Sequence, residues 1–301
     1  FFSFSINFYY SNLGVFPIDT FLHYDSAYKI FKNEAPIKDY WIVSGIVIDY
    51  IQSIFFKVFG VSWTTYIIHS SLFNSFLAVF TYYFFLSSKL ETYKAFFYSL
   101  SFSILAYPIS GTPFVDHHAT FFAFIATFLI IKGLHTQKNY FWFLAVFFFF
   151  LSFFSKQVPA SYLALLYSLL LLIYLLKKKE FKLLIFIFLS VSFFSILALF
   201  FLLINNINIK EFYIQYLGYP RYIGQSRLDN FDLSFHDIFN RYKFIILPII
   251  LIIFMKFKRL KENKMRFLSN EFISFLIIIA FSTILIFHQI MTKNQIYIYF
   301  L

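Results

Sequence analysis

The sequence predicts an all-α polytopic membrane protein of about nine to ten transmembrane helices, with short interfacial helices in its first long polar connection. Three observations predict it. Of 301 residues, 60% are hydrophobic, 26% aromatic and only 13% charged, against the roughly 25% charged residues of a soluble domain. Apolar stretches recur that approach the ~20 residues a helix needs, at 1.5 Å rise per residue, to cross a ~30 Å hydrocarbon core. The polar connections between them alternate in charge. Lipid offers backbone groups no partner, so each apolar stretch is expected to be helical.

In chain order, spans are expected over residues 1–14 (partial), 64–87, 95–109, 118–134, 140–154, 160–176, 183–204, 244–256 and 271–288, with another beginning near 295. The opening FFSFSINFYYSNLG reads as the tail of a span and the closing QIYIYFL as the start of one. Residues 1–301 are therefore expected to form one transmembrane domain, cut at both ends. No internal repeat and no linker to a soluble domain is visible. There is no cysteine, so neither disulfides nor thiolate metal sites contribute. The richness in Phe, Ile and Lys resembles the output of an AT-rich bacterial genome.

Sidedness follows from Lys and Arg, which concentrate in cytoplasmic loops. Alternate connections form two sets. One holds 14 cations, from Lys89 through the Lys177–Lys179 run to Lys256–Arg266, against only Glu91, Glu180, Glu262 and Glu271. The other holds the remaining 11 cations and 10 of the 14 acids. The first set is expected to be cytoplasmic and the acid-rich set outward. The net charge of +11 is thus mostly topology and implies no nucleic-acid partner.

The two long connections, 15–63 and 205–243, belong to the outward set. Within the first, Tyr50, Ile51, Ile54, Phe55, Val58 and Phe59 fall on one helical face with Asp49, Gln52, Ser53 and Lys57 opposite. That is the pattern of a helix lying along a membrane surface. Residues 20–32 repeat it, with Tyr24, Ala27, Tyr28 and Phe31 against Asp25, Lys29 and Lys32.

Candidate chemistry sits in the same connections. PIDTFLHYDSAYKIFKNEAPIKDYW gathers Asp19, His23, Asp25, Glu34 and Asp39 at a membrane edge, where carboxylates are costly to bury and merit a functional reading. The bland alternatives are that Asp19 N-caps a helix starting at Thr20 and that Asp25 pairs with Lys29 at i,i+4. YPISGTPFVDHHATFF brings Asp116, His117 and His118 to the start of a span. These residues could bind a metal, shuttle a proton or cap the helix, but adjacent histidines point in different directions on a helix, which disfavours a joint metal site. Lys156 and Gln157 sit at another outward span end, where a lysine either snorkels or holds a lipid phosphate. Arg221, Arg227 and Arg241 lie among aromatic residues in the later loop, suited to anchoring or to phosphate binding. His288, Lys293, Asn294 and Gln295 add to the same side.

On Asp19, His23 or Tyr24, Ala27, Asn33, Pro36 with Asp39, Phe59 with Gly60, and Asp116 as a second acidic position, the chain resembles the GT-C superfamily of membrane glycosyltransferases. The similarity is to the bacterial, glycosyltransferase family 39-like branch that includes protein O-mannosyltransferases and the lipid A aminoarabinose transferase. It departs where many relatives have Asp-Glu, since Thr20 follows Asp19, and it lacks the WWDYG motif of oligosaccharyltransferases. The family's soluble C-terminal domain is not visible.

The resemblance implies inverting sugar transfer from a polyprenyl-phosphate-linked donor to a lipid, glycan or protein acceptor, on the periplasmic side of a bacterial inner membrane. Asp19 would be the general base. Asp116 would orient the sugar, the acceptor or Asp19 itself, meeting Asp19 at the outer mouth of an aromatic-lined cavity. Lys156 with Arg221 or Arg227 would bind phosphate, and Asp25, Asp39, His117 and His118 would touch substrate. Superfamily members differ in metal dependence, so a divalent metal is left open and no cofactor is assigned. The competing classes are a transporter or flippase for a lipid-linked or anionic substrate, and a non-catalytic lipid-binding subunit.

Overall fold

The computed structural model describes residues 1–14, 17–230, 234–262 and 266–292, all helix or connection with no strand among them. The span expected near 295 lies outside the described residues, as do Lys264, Lys293, Asn294 and Gln295. The first helices are α1 (Phe2–Tyr10), α2 (Pro17–Phe31), α3 (Ile46–Phe59), α4 (Trp63–Ser87) and α5 (Thr92–Leu105). A short 3₁₀ turn follows at Tyr107–Ile109, then α6 (Val115–Thr136), α7 (Asn139–Ser155), α8 (Gln157–Lys178) and α9 (Phe181–Ile204). The chain continues through α10 (Ile209–Phe212), a π-helical stretch (Tyr213–Gly218) and α11 (Tyr219–Asp229), and ends in α12 (Phe235–Lys261) and α13 (Asn270–Thr292). Five of these, α6, α8, α9, α12 and α13, are long and apolar enough to cross a membrane. The protein is an all-α polytopic membrane protein.

Most of the expected spans fall inside helices, with two corrections. The span drawn over 95–109 stops at Leu105, because the chain breaks into the 3₁₀ turn around Pro108, whose ring cannot supply an amide donor. The span drawn over 244–256 begins earlier, at Phe235, where the Ser234 hydroxyl accepts from the Asp237 amide and caps the helix. The connection drawn to residue 243 is correspondingly shorter and is itself largely helical.

Helix α6 is the central post. Of its most apolar window 72% is buried within the protein, against 11% for α9 and α12, which therefore present their Leu, Ile and Phe side chains outward. Central helices pack closely where small residues let backbones approach. A Cβ on Gly133 of α6 would stand 2.7 Å from the Trp142 ring of α7, so only glycine fits that crossing. At the other end of α6, Gly111 has φ +69° and its added Cβ would fall 2.8 Å from Ser11 Cα. Its carbonyl accepts from the Asn7 amide at 3.0 Å and from the hydroxyls of Ser11 and Ser70, which fastens α1 and α4 to the turn before α6.

The expected alternation of ends is visible in the contacts. At one end Thr20 Oγ1 meets Thr112 Oγ1 at 3.0 Å, Gln157 donates to the carbonyls of Val43 and Tyr216 at 2.7 Å each, and Gln215 joins Ile42 and Ile37. These residues all come from the acid-rich connections. At the other end, Asn270 accepts from Tyr174 and donates to the Leu134 carbonyl, and Ser274 meets His135.

Helices α2 and α3 are too short to span, as the sequence indicated; α2 keeps its Asp25–Lys29 pair at the surface, as expected, but the polar stripe of α3 is not turned to water. On α3, Asp49, Gln52, Ser53 and Phe56 are buried against the protein, while Ile54, Val58 and Phe59 are exposed. On α2 the buried face is Thr20, His23, Ala27 and Ile30. The physical reason is that at the rim of a membrane bundle the interior can offer polar partners whereas lipid offers none.

Candidate functional site

Three polar groupings occupy the acid-rich end. The first is built on Asp116, in the opening turn of α6. Its two carboxylate oxygens each lie 2.7 Å from Lys156 Nζ, and Oδ1 also lies 2.9 Å from His288 Nε2. Local structure explains the convergence. Lys156 is the residue between α7 and α8, with extended backbone, so its side chain leaves the helical path and turns toward α6. His288 comes from the last turn but one of α13. The acid is buried, the lysine about a quarter exposed, and the resulting ion pair is closed by geometry and by the histidine bond.

Lys156 and His288 also line a cavity of about 880 Å³. Arg221, Arg227 and Asp229 of α11 form its far wall, with Tyr162 and Tyr219 among its aromatic members. The cavity is bordered by a second, almost wholly apolar groove of about 540 Å³ between α7, α8 and α9. The two share Phe153, Ser161 and Leu217, so an apolar channel adjoins a chamber with cations on its wall.

The second grouping is sealed. The Phe114 amide donates to the Tyr107 oxygen at 3.0 Å, Tyr107 to His118 Nδ1 at 2.8 Å, His118 Nε2 to His69 Nε2 at 3.2 Å, and His69 Nδ1 to Gln52 Oε1 at 2.9 Å. Donation in either direction along this chain gives each imidazole one proton and leaves both neutral. Phe73 stacks on His118 at 4.2 Å and Phe55 on His69 at 5.0 Å, closing the pair from both sides. His117 turns the other way, to the Ala106 carbonyl at 3.1 Å.

The third grouping is the pair His23 and Asp49, 2.9 Å apart and both buried. Asp49 Oδ2 has no hydrogen-bond partner among the described residues. Burial pushes the Asp49 carboxyl up to about 6, with His23 beside it pulling the other way. The pair depends on Gly45, whose φ is +91° and whose added Cβ would overlap the His23 ring at 2.3 Å.

Sequence-based candidates divide accordingly. Asp116, Lys156, Arg221 and Arg227 are brought to one cavity, counting Asp116 through its partners. His117 and His118 are fully buried in helix packing and are not among the residues that line it. Asp25 is spent on Lys29, at 2.9 Å on the surface of α2, the bland alternative raised for it. Asp39 faces a separate polar cavity and accepts from the Ala35 amide at 2.7 Å. Asp19 is exposed and is not among the residues lining the large cavity; nor is it an N-cap, since α2 begins at Pro17 and Asp19 sits within its first turn. The expected joining of Asp19 to Asp116 is not seen, because the Asp116 oxygens face Lys156 and His288.

Two groupings escaped sequence reasoning. Asp49, Gln52 and Ser53 recur at i, i+3 and i+4, a signal taken for a water-facing stripe. His69 sits in YIIHSSLFNS, where polar residues inside an expected span could have marked a buried network. Among the described residues no group of three or more His, Asp or Glu side chains is placed to hold a metal ion. Compared with protein-family models, curated proteins and solved structures, the chain matches none.

Proposed function

We propose that this chain is the membrane domain of a glycosyltransferase that takes a sugar from a polyprenyl-phosphate-linked donor. The observation that carries the reading is the apolar groove opening beside a chamber walled by Lys156, Arg221, Arg227 and His288. A donor of that class has a long apolar tail, an anionic phosphate and a polar sugar. Groove, cations and chamber answer to these in that order.

In this reading Arg221 and Arg227 hold the phosphate, Arg being suited to planar two-point recognition of its oxygens. Lys156 neutralises Asp116 at the edge of the chamber. Asp116 orients His288 by accepting from Nε2, and the other ring nitrogen, Nδ1, takes the proton of the acceptor hydroxyl as its oxygen bonds the anomeric carbon, the bond from that carbon to the phosphate oxygen breaks and polyprenyl phosphate leaves, the division of labour of a carboxylate-held histidine base. The base thus falls to His288 with Asp116 rather than to Asp19, which lies on the exposed face of α2. The acid-rich end is the outward, periplasmic one by its charge balance.

The transporter reading gains less support. It calls for charges at mid-depth and broken helices there, whereas Asp116, Lys156 and His288 all sit at span ends. The test is binding and turnover of a polyprenyl-phosphate sugar by the purified protein. Replacing both Arg221 and Arg227 by Ala is expected to weaken donor binding at least about tenfold, roughly one charge-assisted hydrogen bond's worth, while the thermal midpoint stays in place. Donor affinity unchanged in that double variant would overturn the assignment.

A further inference from the structure

Besides the apolar groove and the cationic chamber, the acid-rich end holds a third cavity, of about 430 Å³, between the α2–α3 connection and the start of α10. This size falls within the ~300–1,000 Å³ of small-molecule sites. Its chemistry differs from both neighbours. Its lining residues include Asn206, Asn208, Asp39, Glu211 and Lys38, of which Asp39 also accepts from the Ala35 amide and Asn208 from the Lys210 amide. Tyr40 and Trp41 supply aromatic surface, with Trp41 56% exposed.

We infer that this cavity is a binding site for a neutral carbohydrate. A pyranose offers vicinal hydroxyls at its edge and a patch of C–H bonds on its face. Amides and carboxylates are the side chains that satisfy paired hydroxyls, donating and accepting at once, and an exposed indole is the platform for the C–H face. The charge balance disfavours the phosphate that suits the neighbouring chamber. Two carboxylates against one ammonium leave this cavity net negative, while the larger one keeps Arg221 and Arg227 against Asp229, Lys156 being paired with Asp116.

The walls are held in place by the backbone. Buried Gln215 donates to the Ile37 carbonyl at 3.0 Å and accepts from the Ile42 amide at 3.2 Å, bracketing Lys38, Asp39, Tyr40 and Trp41 between two fixed points. Asn208 caps α10 through the Lys210 amide at 2.8 Å, and Glu211 lies within that short helix. Recognition groups so held are ordered before a ligand arrives, which lowers the cost of binding.

Its position gives the site a role. The Trp41 ring meets Tyr219 edge to face at 5.8 Å, and Tyr219 also lines the cationic chamber. A sugar on Trp41 therefore sits one aromatic pair from the place assigned to the donor phosphate. This is the site of a glycan acceptor, an identification that rests on the glycosyltransferase reading; carbohydrate binding itself does not.

The experiment is saturation-transfer NMR on the whole purified chain in detergent, with methyl glycosides of neutral hexoses and N-acetylhexosamines as probes and no donor lipid present. At least one glycoside is expected to bind saturably, and Trp41→Ala to weaken it about tenfold or more. Glu211→Gln, which keeps the shape of an exposed side chain, is expected to weaken the same glycoside and serves if Trp41→Ala folds poorly. Absence of saturable transfer for every glycoside, or unchanged affinity in both variants, would overturn the site. Glycoside binding in a protein that neither binds nor consumes a polyprenyl-phosphate sugar would sustain this site and sink the glycosyltransferase reading.

Discussion

Asp116 with Lys156 and His288, and His69 with His118, occupy the same end of the same bundle, and both groupings are mostly buried. They differ in what borders them. The first carries formal charge and two of its members open onto a chamber of about 880 Å³. The second is neutral by its tautomers and is closed by Phe55 and Phe73. Burial of a histidine or an acid among membrane helices is thus no mark of chemistry by itself. A polar group there must be satisfied in any case, and a chain such as Tyr107–His118–His69–Gln52 does so as scaffolding. What separates the two is charge held at a cavity wall.

The largest expected effect breaks the charged grouping. Asp116→Ala leaves Lys156 without its partner. Removing one member of a buried pair costs about 3–5 kcal/mol, and the partial exposure of Lys156 puts this case toward the lower figure. A fall in thermal midpoint together with a loss of turnover of about 10²–10⁴-fold, the usual weight of general-base catalysis, is expected. A stable variant with unchanged turnover would remove the cavity grouping from the mechanism.

Asp49 extends the contrast to pH. Its folded-state affinity for protons is raised, from an ordinary value near 4 to about 6, so between these limits the folded protein binds more protons than the unfolded chain. Stability therefore falls as pH rises from about 4 to about 6, by roughly 3 kcal/mol, and the term is constant above that window. Asp49→Asn is expected to flatten this part of a midpoint-against-pH profile measured in detergent. The same slope in the variant would show that the carboxyl is not the titrating group.

A smaller change is expected at the sealed pair. His118→Phe strands the Tyr107 hydroxyl and His69, a cost of about 1–3 kcal/mol for an unsatisfied buried group, yet the folded fraction should retain the wild-type KM for donor. A raised KM at equal folded fraction would place the pair in the substrate's reach. The smallest effect is at Asp19, where Asn on an exposed face should shift stability by less than about 0.5 kcal/mol and leave turnover within about twofold. Loss of transfer there would return the role of base to Asp19 and away from His288.

The division between what the sequence disclosed and what it concealed follows the same contrast. Helices α6, α8 and α9 were legible because apolar composition over some twenty residues has one outcome in lipid. The pairing of ends was legible too, since charge alternates with each crossing. Lys156, Arg221 and Arg227 could be placed at one end but not at one cavity, because their convergence needs α7, α8 and α11 to meet. The error on α3 was one of sign. Its stripe of Asp49, Gln52 and Ser53 was seen, but whether a polar stripe meets water or protein depends on His23 and His69, which arrive from other helices. Asp19 was chosen by its place after the first span, and place in sequence does not report exposure.

The glutamine clasp at the acid-rich end also bears on how the protein is made. Ile42 and Ile37 hydrogen-bond to Gln215, which follows them by 173 and 178 positions. Chains are synthesised at about 5–20 residues per second, so this partner emerges roughly 10–35 s after the loop it fastens. Early in that interval α2 and α3 are already out of the ribosome while the Tyr213–Gly218 stretch that carries Gln215 does not yet exist, so residues 37–42 lack the partner that fastens them. This clasp at the acid-rich end therefore closes only after α4 to α9 have been made, and a nascent chain arrested before Gln215 should present residues 33–45 to protease.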